Sequence, residues 1–260
     1  MAINWDEVQK ALSPIKDYED LCHRLKISFG YPFVLEAYNF NLPQLEDYTQ
    51  RLLGGDARGR YVGYESQLNG IIKVLIHAGV QNLLDLHQRT ASRQLLQLFT
   101  DQSGVAATHI ATLLKYLIYW VVPSEKYLSG LVRDDLNIRQ AIKLLSDSGI
   151  RTNLELLQAG ITSRERQALA KTSGLSPAII TEMVNRADFS RLPWASKATI
   201  SNIIGAGYGS LAQLARANPA ELYADFFRYG KSIGKNLKLG NEIENSYRIA
   251  KIVPIVLQEG

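Results

Sequence analysis

One cysteine, Cys22, stands in 260 residues. It excludes an intramolecular disulfide framework and fits a reducing compartment. The four histidines, His23, His77, His87 and His109, show no metal-ligand spacing. Cys22 and His23 are neighbours in sequence, which does not orient one towards the other as a nucleophile and base require. Carboxylates are scattered. No catalytic residue, metal or cofactor is therefore expected, and the chain reads as a binding protein rather than an enzyme. Long hydrophobic runs are also missing. The longest, Leu117 to Val122, is far below the roughly 20 residues that span a bilayer. No charged-then-apolar leader opens the chain, since Ile3-Asn4-Trp5-Asp6-Glu7 is already mixed. A cytoplasmic protein without membrane association is the expectation. Period-2 alternation is nearly absent, which predicts almost no sheet.

Charge is uneven. The formal net charge is +4. From Arg191 onward nine Lys/Arg stand against five Asp/Glu, and the remainder balances at 20 against 20. A basic C-terminal third points to an anionic partner, although a solvated face has the same composition.

Helical punctuation fills the chain. Residues 1–60 read as an N-terminal helical region with Ser13-Pro14 and Leu42-Pro43 at helix starts. Its aromatics (Trp5, Tyr18, Phe29, Tyr31, Phe33, Tyr38, Phe40, Tyr48) read as core rather than as a stacking surface. It ends in the loop Gly54-Gly55-Asp56-Ala57-Arg58-Gly59-Arg60, where Arg58 and Arg60, with Arg51, are candidates for phosphate or acidic partners, and a glycine-rich linker explains the stretch as well. An internal repeat follows. Sliding the chain by 70 positions aligns Ile71–Pro123 with Ala141–Pro193 without a gap. Gly79 meets Gly149, Leu84 meets Leu154, Ser103-Gly104 meets Ser173-Gly174, and Pro123 meets Pro193. Each copy ends a helix at a glycine and opens the next at a cap: Asn82 with Asp85, and Thr152 with Glu155. Thr162 with Glu165 forms a further capping box in the second copy. The domain reading is 1–60, then a diverged repeat over 61–130, then 131–260, with Ser124 to Asn137 as the joint.

The stretch Arg191 to Leu214 organises the second half. Leu192-Pro193 turns the chain, Ser196 is placed as an N-cap, and a helix runs from about Lys197 to Ala206. Gly207 ends it, Ser210 to Gln213 reads as a capping box, and Asn218-Pro219 opens another helix. Leu192-Pro193, Lys197, and then Gly207-Tyr208-Gly209-Ser210-Leu211 resemble the helix-hairpin-helix family. Its DNA-binding members place glycines in the hairpin so that backbone amides approach a phosphate. Trp194 and Ser196 stand at those glycine positions here, and the bulky Trp194 favours packing over phosphate binding for this hairpin.

Residues from about Leu136 to Leu257 resemble an uncharacterised bacterial helix-hairpin-helix family, a domain of unknown function. The likeness lies in Ser148-Gly149-Ile150, Thr152, Glu155-Leu156-Leu157, Arg164 to Gly174, Val184 to Phe189, Arg191-Leu192, Leu214-Ala215 and Asn218-Pro219. It implies an all-α fold, tandem helix-hairpin-helix repeats of the SAM/HhH-like kind, related to DNA-binding hairpin domains. It implies no established activity.

The candidate site residues follow. Arg191, Ser196 and Lys197 flank the hairpin, with Arg186 nearby and free to pair with Asp188 instead. In Tyr229 to Lys238, Gly230-Lys231-Ser232 fails as a phosphate loop because Asp225 stands where G-x-x-x-x-G-K-S requires glycine. If that stretch is helical, Lys231, Lys235 and Lys238 share one face. Two functions remain. One is sequence-independent binding of nucleic acid, foremost DNA, through its phosphates. The other is a protein–protein adaptor that keeps the hairpin fold, with Trp194 as the interface anchor.

Overall fold

The structure, a computed structural model, describes residues 2–56, 59–133, 136–193, 195–235, 237 and 241–258. The described residues are all-helical, with no strand. No helix among them is long and apolar enough to cross a membrane. The chain divides into two compact units, Met1–Ser124 and Glu125–Gly260.

The first unit holds α1 (Trp5–Leu12), α2 (Tyr18–Phe29), α3 (Pro32–Tyr38), α4 (Leu42–Thr49), α5 (Val62–His77), α6 (Leu83–Thr90), α7 (Arg93–Ser103) and α8 (Ala107–Tyr116). Single π-helical turns extend α4 over Gln50–Gly54 and α8 over Leu117–Val121. α1 packs on α8, α4 on α5, and α2 on α6. Of the N-terminal aromatics, Tyr18, Phe29, Phe33, Tyr38 and Tyr48 are buried, as a core role requires. Leu42-Pro43 opens α4, capped by Asn41. Pro14, by contrast, lies in the turn after α1, and α2 starts four residues later under the Asp17 cap. Arg60 makes a two-point contact with Asp56, and Arg51, in the π-helical turn, lies 3.7 Å from Asp47, so both arginines have carboxylate partners. Arg58 lies outside the described residues.

The second unit holds α9 (Leu136–Asp147), α10 (Asn153–Ala159), α11 (Ser163–Ser173), α12 (Pro177–Phe189), α13 (Lys197–Gly205), α14 (Leu211–Arg216), α15 (Pro219–Ser232) and α16 (Asn241–Ala250). Its core gathers Leu154, Leu157, Ile180, Met183, Phe189, Ile203 and Phe226.

Three helix starts in the first unit, Leu83, Arg93 and Ala107, fall 70 residues before Asn153, Ser163 and Pro177 in the second. The likeness reaches the backbone. Gly79 (φ +74°) and Gly149 (φ +87°) both take the left-handed conformation. In each case the next residue's amide bonds to the carbonyl five back: Val80 to Leu75 at 3.1 Å, Ile150 to Leu145 at 2.9 Å. These are Schellman closures, which satisfy the last helical carbonyls. Three residues on, Asn82 and Thr152 cap α6 and α10. Both caps also sit in an isolated antiparallel bridge, Asn82 with Asn41 and Thr152 with Tyr127. Gly207 (φ +102°) repeats the device before the Ser210 cap of α14. The expected capping box there is half formed: Ser210 accepts from Gln213, but the Gln213 side chain reaches back to the amide of Gly209.

Two residues of the first unit test this reading. A Cβ on Gly79 would meet no atom within 4 Å, so only its backbone conformation resists substitution. Gly79→Ala should destabilise by about 1–2 kcal/mol. Gly70, inside α5 with equally open surroundings, should do the opposite, Gly70→Ala adding roughly 0.5–1 kcal/mol. Urea midpoints of the two variants, moving in opposite directions, are the check. A second expectation concerns His87, which is buried against Phe29 with Nδ1 unpartnered. Burial, and then the Lys26 charge, hold its pKa below the usual 6.5. The unfolded chain then binds more protons below about pH 6.5, so stability present above that pH is lost as pH falls. The equivalent position 70 residues on is the fully buried Leu157. His87→Leu should therefore raise stability and flatten its decline between pH 7 and 5, followed by denaturant unfolding at each pH.

Candidate nucleic-acid interface

The turn between α12 and α13 is locked from within. Ser196 caps α13 as expected, accepting from the Thr199 amide at 3.1 Å. Ahead of it, Asn153, fully buried at the start of α10, receives the Lys126 amide at 2.7 Å and donates to Ser190 Oγ at 2.9 Å. Lys126 Nζ donates to the carbonyls of Ser190 at 3.0 Å and Ala195 at 3.4 Å. A cation thus sits on carbonyls that follow the C-terminus of α12, where the helix dipole favours it. Burial lowers the Lys126 pKa. Nothing in the residue pattern announces this contact, because its acceptors are backbone carbonyls.

Arg191 is corrected by the structure. Its side chain is 1% exposed and bonded to Asp188 Oδ1 through both Nε and Nη2, the former at 2.8 Å. Its Nη1 donates to the Pro254 carbonyl at 2.8 Å. A guanidinium so enclosed anchors the C-terminal segment and cannot reach a phosphate in solvent. Asp188 is buried with it, and desolvation raises its pKa against the opposing pull of Arg191. Arg186, unlike Arg191, does not pair with Asp188: it is buried and bonded to Glu182 at 2.7 Å, one helical turn back. A cavity of about 340 Å³ lies beside this ion pair, bounded by α12, α14 and the C-terminal segment. Arg166 and Arg191 both face it, yet both are bonded to carbonyls of that segment, at Gln258 and Pro254.

Three expected cations are on the surface. Lys197 is exposed at the first position of α13. Lys231 is exposed in the last turn of α15, and Lys235 is exposed beyond it. The shared helical face is not formed by Lys235. Gly234 (φ +65°) closes α15, and the Lys235 amide bonds to the Gly230 carbonyl at 2.8 Å, a further Schellman closure. Gly230 itself is helical and buried. A Cβ there would lie 2.7 Å from the Lys235 carbonyl oxygen, so this glycine serves the fold-back rather than a phosphate cradle. Lys197 and Lys231 sit apart: Tyr229 packs against Gly205, and roughly 12 Å of helix rise separates Gly205 from Lys197. Trp194 and Lys238 lie outside the described residues.

The residues that sequence reading missed are on the outer face of α15. Leu222, Phe226 and Gly230 face the core. Tyr223 and Phe227, one turn apart, are 44% and 53% exposed, and Lys231 Nζ stands 4.6 Å from the Phe227 ring centroid. The four-residue spacing of Tyr223, Phe227 and Lys231 was visible in the sequence. Charge is divided between the units. Met1–Ser124 carries 11 Lys/Arg against 12 Asp/Glu, a net of −1, and Glu125–Gly260 carries 18 against 13, a net of +5.

The two classes of cation should separate by stability. Arg191→Met leaves Asp188 buried without its partner and should destabilise by about 3–5 kcal/mol. Lys197→Ala, at the surface, should stay within about 0.5 kcal/mol of the parent. Thermal unfolding of both variants checks this, and equal effects would contradict the placement.

No curated protein and no solved structure matches the chain. Residues 137–243, within the second unit, match the model of a family described as a domain of unknown function (DUF4332).

Proposed function

We propose that the second unit is a helix-hairpin-helix body that binds nucleic acid through its phosphates, without reading sequence. The observation that carries this is electrostatic: the net +5 lies in one unit, and Lys197, Lys231 and Lys235 are exposed on it. Exposed lysines that displace counterions give binding that is strong at low salt and indifferent to sequence. The glycine-closed helices at the 70-residue offset support the hairpin reading, as does the return of the motif at Gly207. With Arg191 interior and Lys126 bonded to carbonyls, the proposed phosphate contacts fall away from the hairpin turn, at two separate places: the start of α13 and the end of α15.

A second reading, a protein adaptor, has its own observation. α7 exposes Leu95 and Leu98 beside a cavity of about 540 Å³, where the second unit has Glu165 and Ala168. Exposed apolar side chains of this kind suit a protein surface.

The test is fluorescence anisotropy of a labelled DNA duplex titrated with the full chain between about 50 and 200 mM salt. The parent should weaken linearly in log K against log salt. A Lys197→Glu, Lys231→Glu, Lys235→Glu variant should bind at least about tenfold more weakly, with a slope shallower by about one for each phosphate no longer neutralised. Absence of binding at the lowest salt, or a variant that binds like the parent, would contradict the proposal.

A further inference from the structure

We infer that the outer face of α15 is a stacking surface for the bases of a single-stranded nucleic acid, with Lys231 and Lys235 on the adjoining phosphates. This rests on the nucleic-acid reading above and narrows it to strand type.

α15 has two faces of different character. The inner one is saturated: Phe226 is fully buried and stacked on Tyr208, and Tyr229 fills the space left by Gly205. The outer one carries Tyr223, Phe227 and Lys231 in one row, each about 6 Å of helix rise from the next. A phenylalanine more than half exposed has little stabilising contribution to make to the core, yet its ring stands one helical turn from the exposed Tyr223, with an ammonium 4.6 Å from its centroid. Lys231 and Lys235 make the C-terminal end of this face positive. The Arg228 side chain is 76% exposed and Lys235 follows Gly234. Of the nearby acids, Asp225 is occupied by the Tyr208 hydroxyl at 2.9 Å and by Arg228 at 2.7 Å, and Glu221 lies in the first turn.

Aromatic faces interleaved with cations are what an unpaired strand requires, because every base has a π-face and every linkage a charge. In a duplex the base faces are already stacked, so the rings would contribute nothing there. Aromatic rings are also enriched in protein interfaces, but lysine is depleted at their centre, so the lysines at the end of this row favour the strand.

The experiment compares oligothymidylate with a duplex of equal length, both labelled, against the full chain. Phe227→Ala should weaken oligothymidylate binding roughly 5- to 150-fold, the range for removal of one base-stacking ring. Tyr223→Ala should act in the same direction, Phe227→Tyr should restore binding, and neither the duplex affinity nor the salt slope should move. Unchanged helical circular dichroism confirms that the variants are folded. If Phe227→Ala and Tyr223→Ala bind oligothymidylate like the parent while Lys231→Glu weakens it, stacking is overturned and phosphate binding stands. Equal weakening of strand and duplex overturns the strand preference. Absence of binding to either overturns both readings.

Discussion

The left-handed glycine at the end of a helix is the constraint on which this architecture depends. At Gly79, Gly149 and Gly207 the chain leaves one helix, satisfies its last carbonyls with two backbone bonds, and reaches a capping side chain three residues later. Only glycine adopts that conformation without strain, and only a short polar side chain then captures the free amides of the next helix. Both helix ends are thereby satisfied within a turn too short to expose much backbone. The same device at Gly234 ends α15 and sends the chain back over Gly230. With the ends fixed, the apolar stripes have little choice of partner, and α10 and α11 pack on α12.

A second level of order is the division of the cations. Arg186 and Arg191 are interior, each satisfied by a carboxylate and a distant carbonyl. Such pairs are weak evidence for stability in themselves, but removing one partner leaves a buried charge that nothing solvates. Lys197, Lys231 and Lys235 are exposed. The arginines have the planar, multi-donor geometry that suits an enclosed site, whereas lysine is a hydrated point charge that suits a surface. What the second unit exposes is therefore lysine charge and the aromatic row of α15.

Much of the fold is legible in the residues alone. Gly79, Gly149 and Gly207 fall where apolar periodicity stops, and Asn82, Thr152, Ser196 and Ser210 stand at the cap positions, because turn geometry restricts residue type at those places. The site is less legible. Arg191 looks like any basic residue beside a hairpin, since its acceptor at Pro254 lies 63 residues away and is a carbonyl, which carries no residue-type signal. Lys126 escapes for the same reason. Lys235 is misplaced on a continuous helix unless Gly234 is read as a terminator, although it stands in the same relation to Lys235 as Gly79 does to Val80. Tyr223 and Phe227 are overlooked when Gly230-Lys231-Ser232 draws attention as a motif, while the signal lies in the spacing one and two turns earlier.

Whether a nucleic acid binds the second unit, and at which residues, is the central question. Backbone amide shifts of the full chain, followed during titration with a short oligothymidylate at low salt, address it most directly. Perturbations should gather on Lys197, Tyr223, Phe227, Lys231 and Lys235, with the interior Arg191 and the first unit unmoved. Shifts confined to Met1–Ser124, or no shifts at all, would contradict both the phosphate surface and the stacking row.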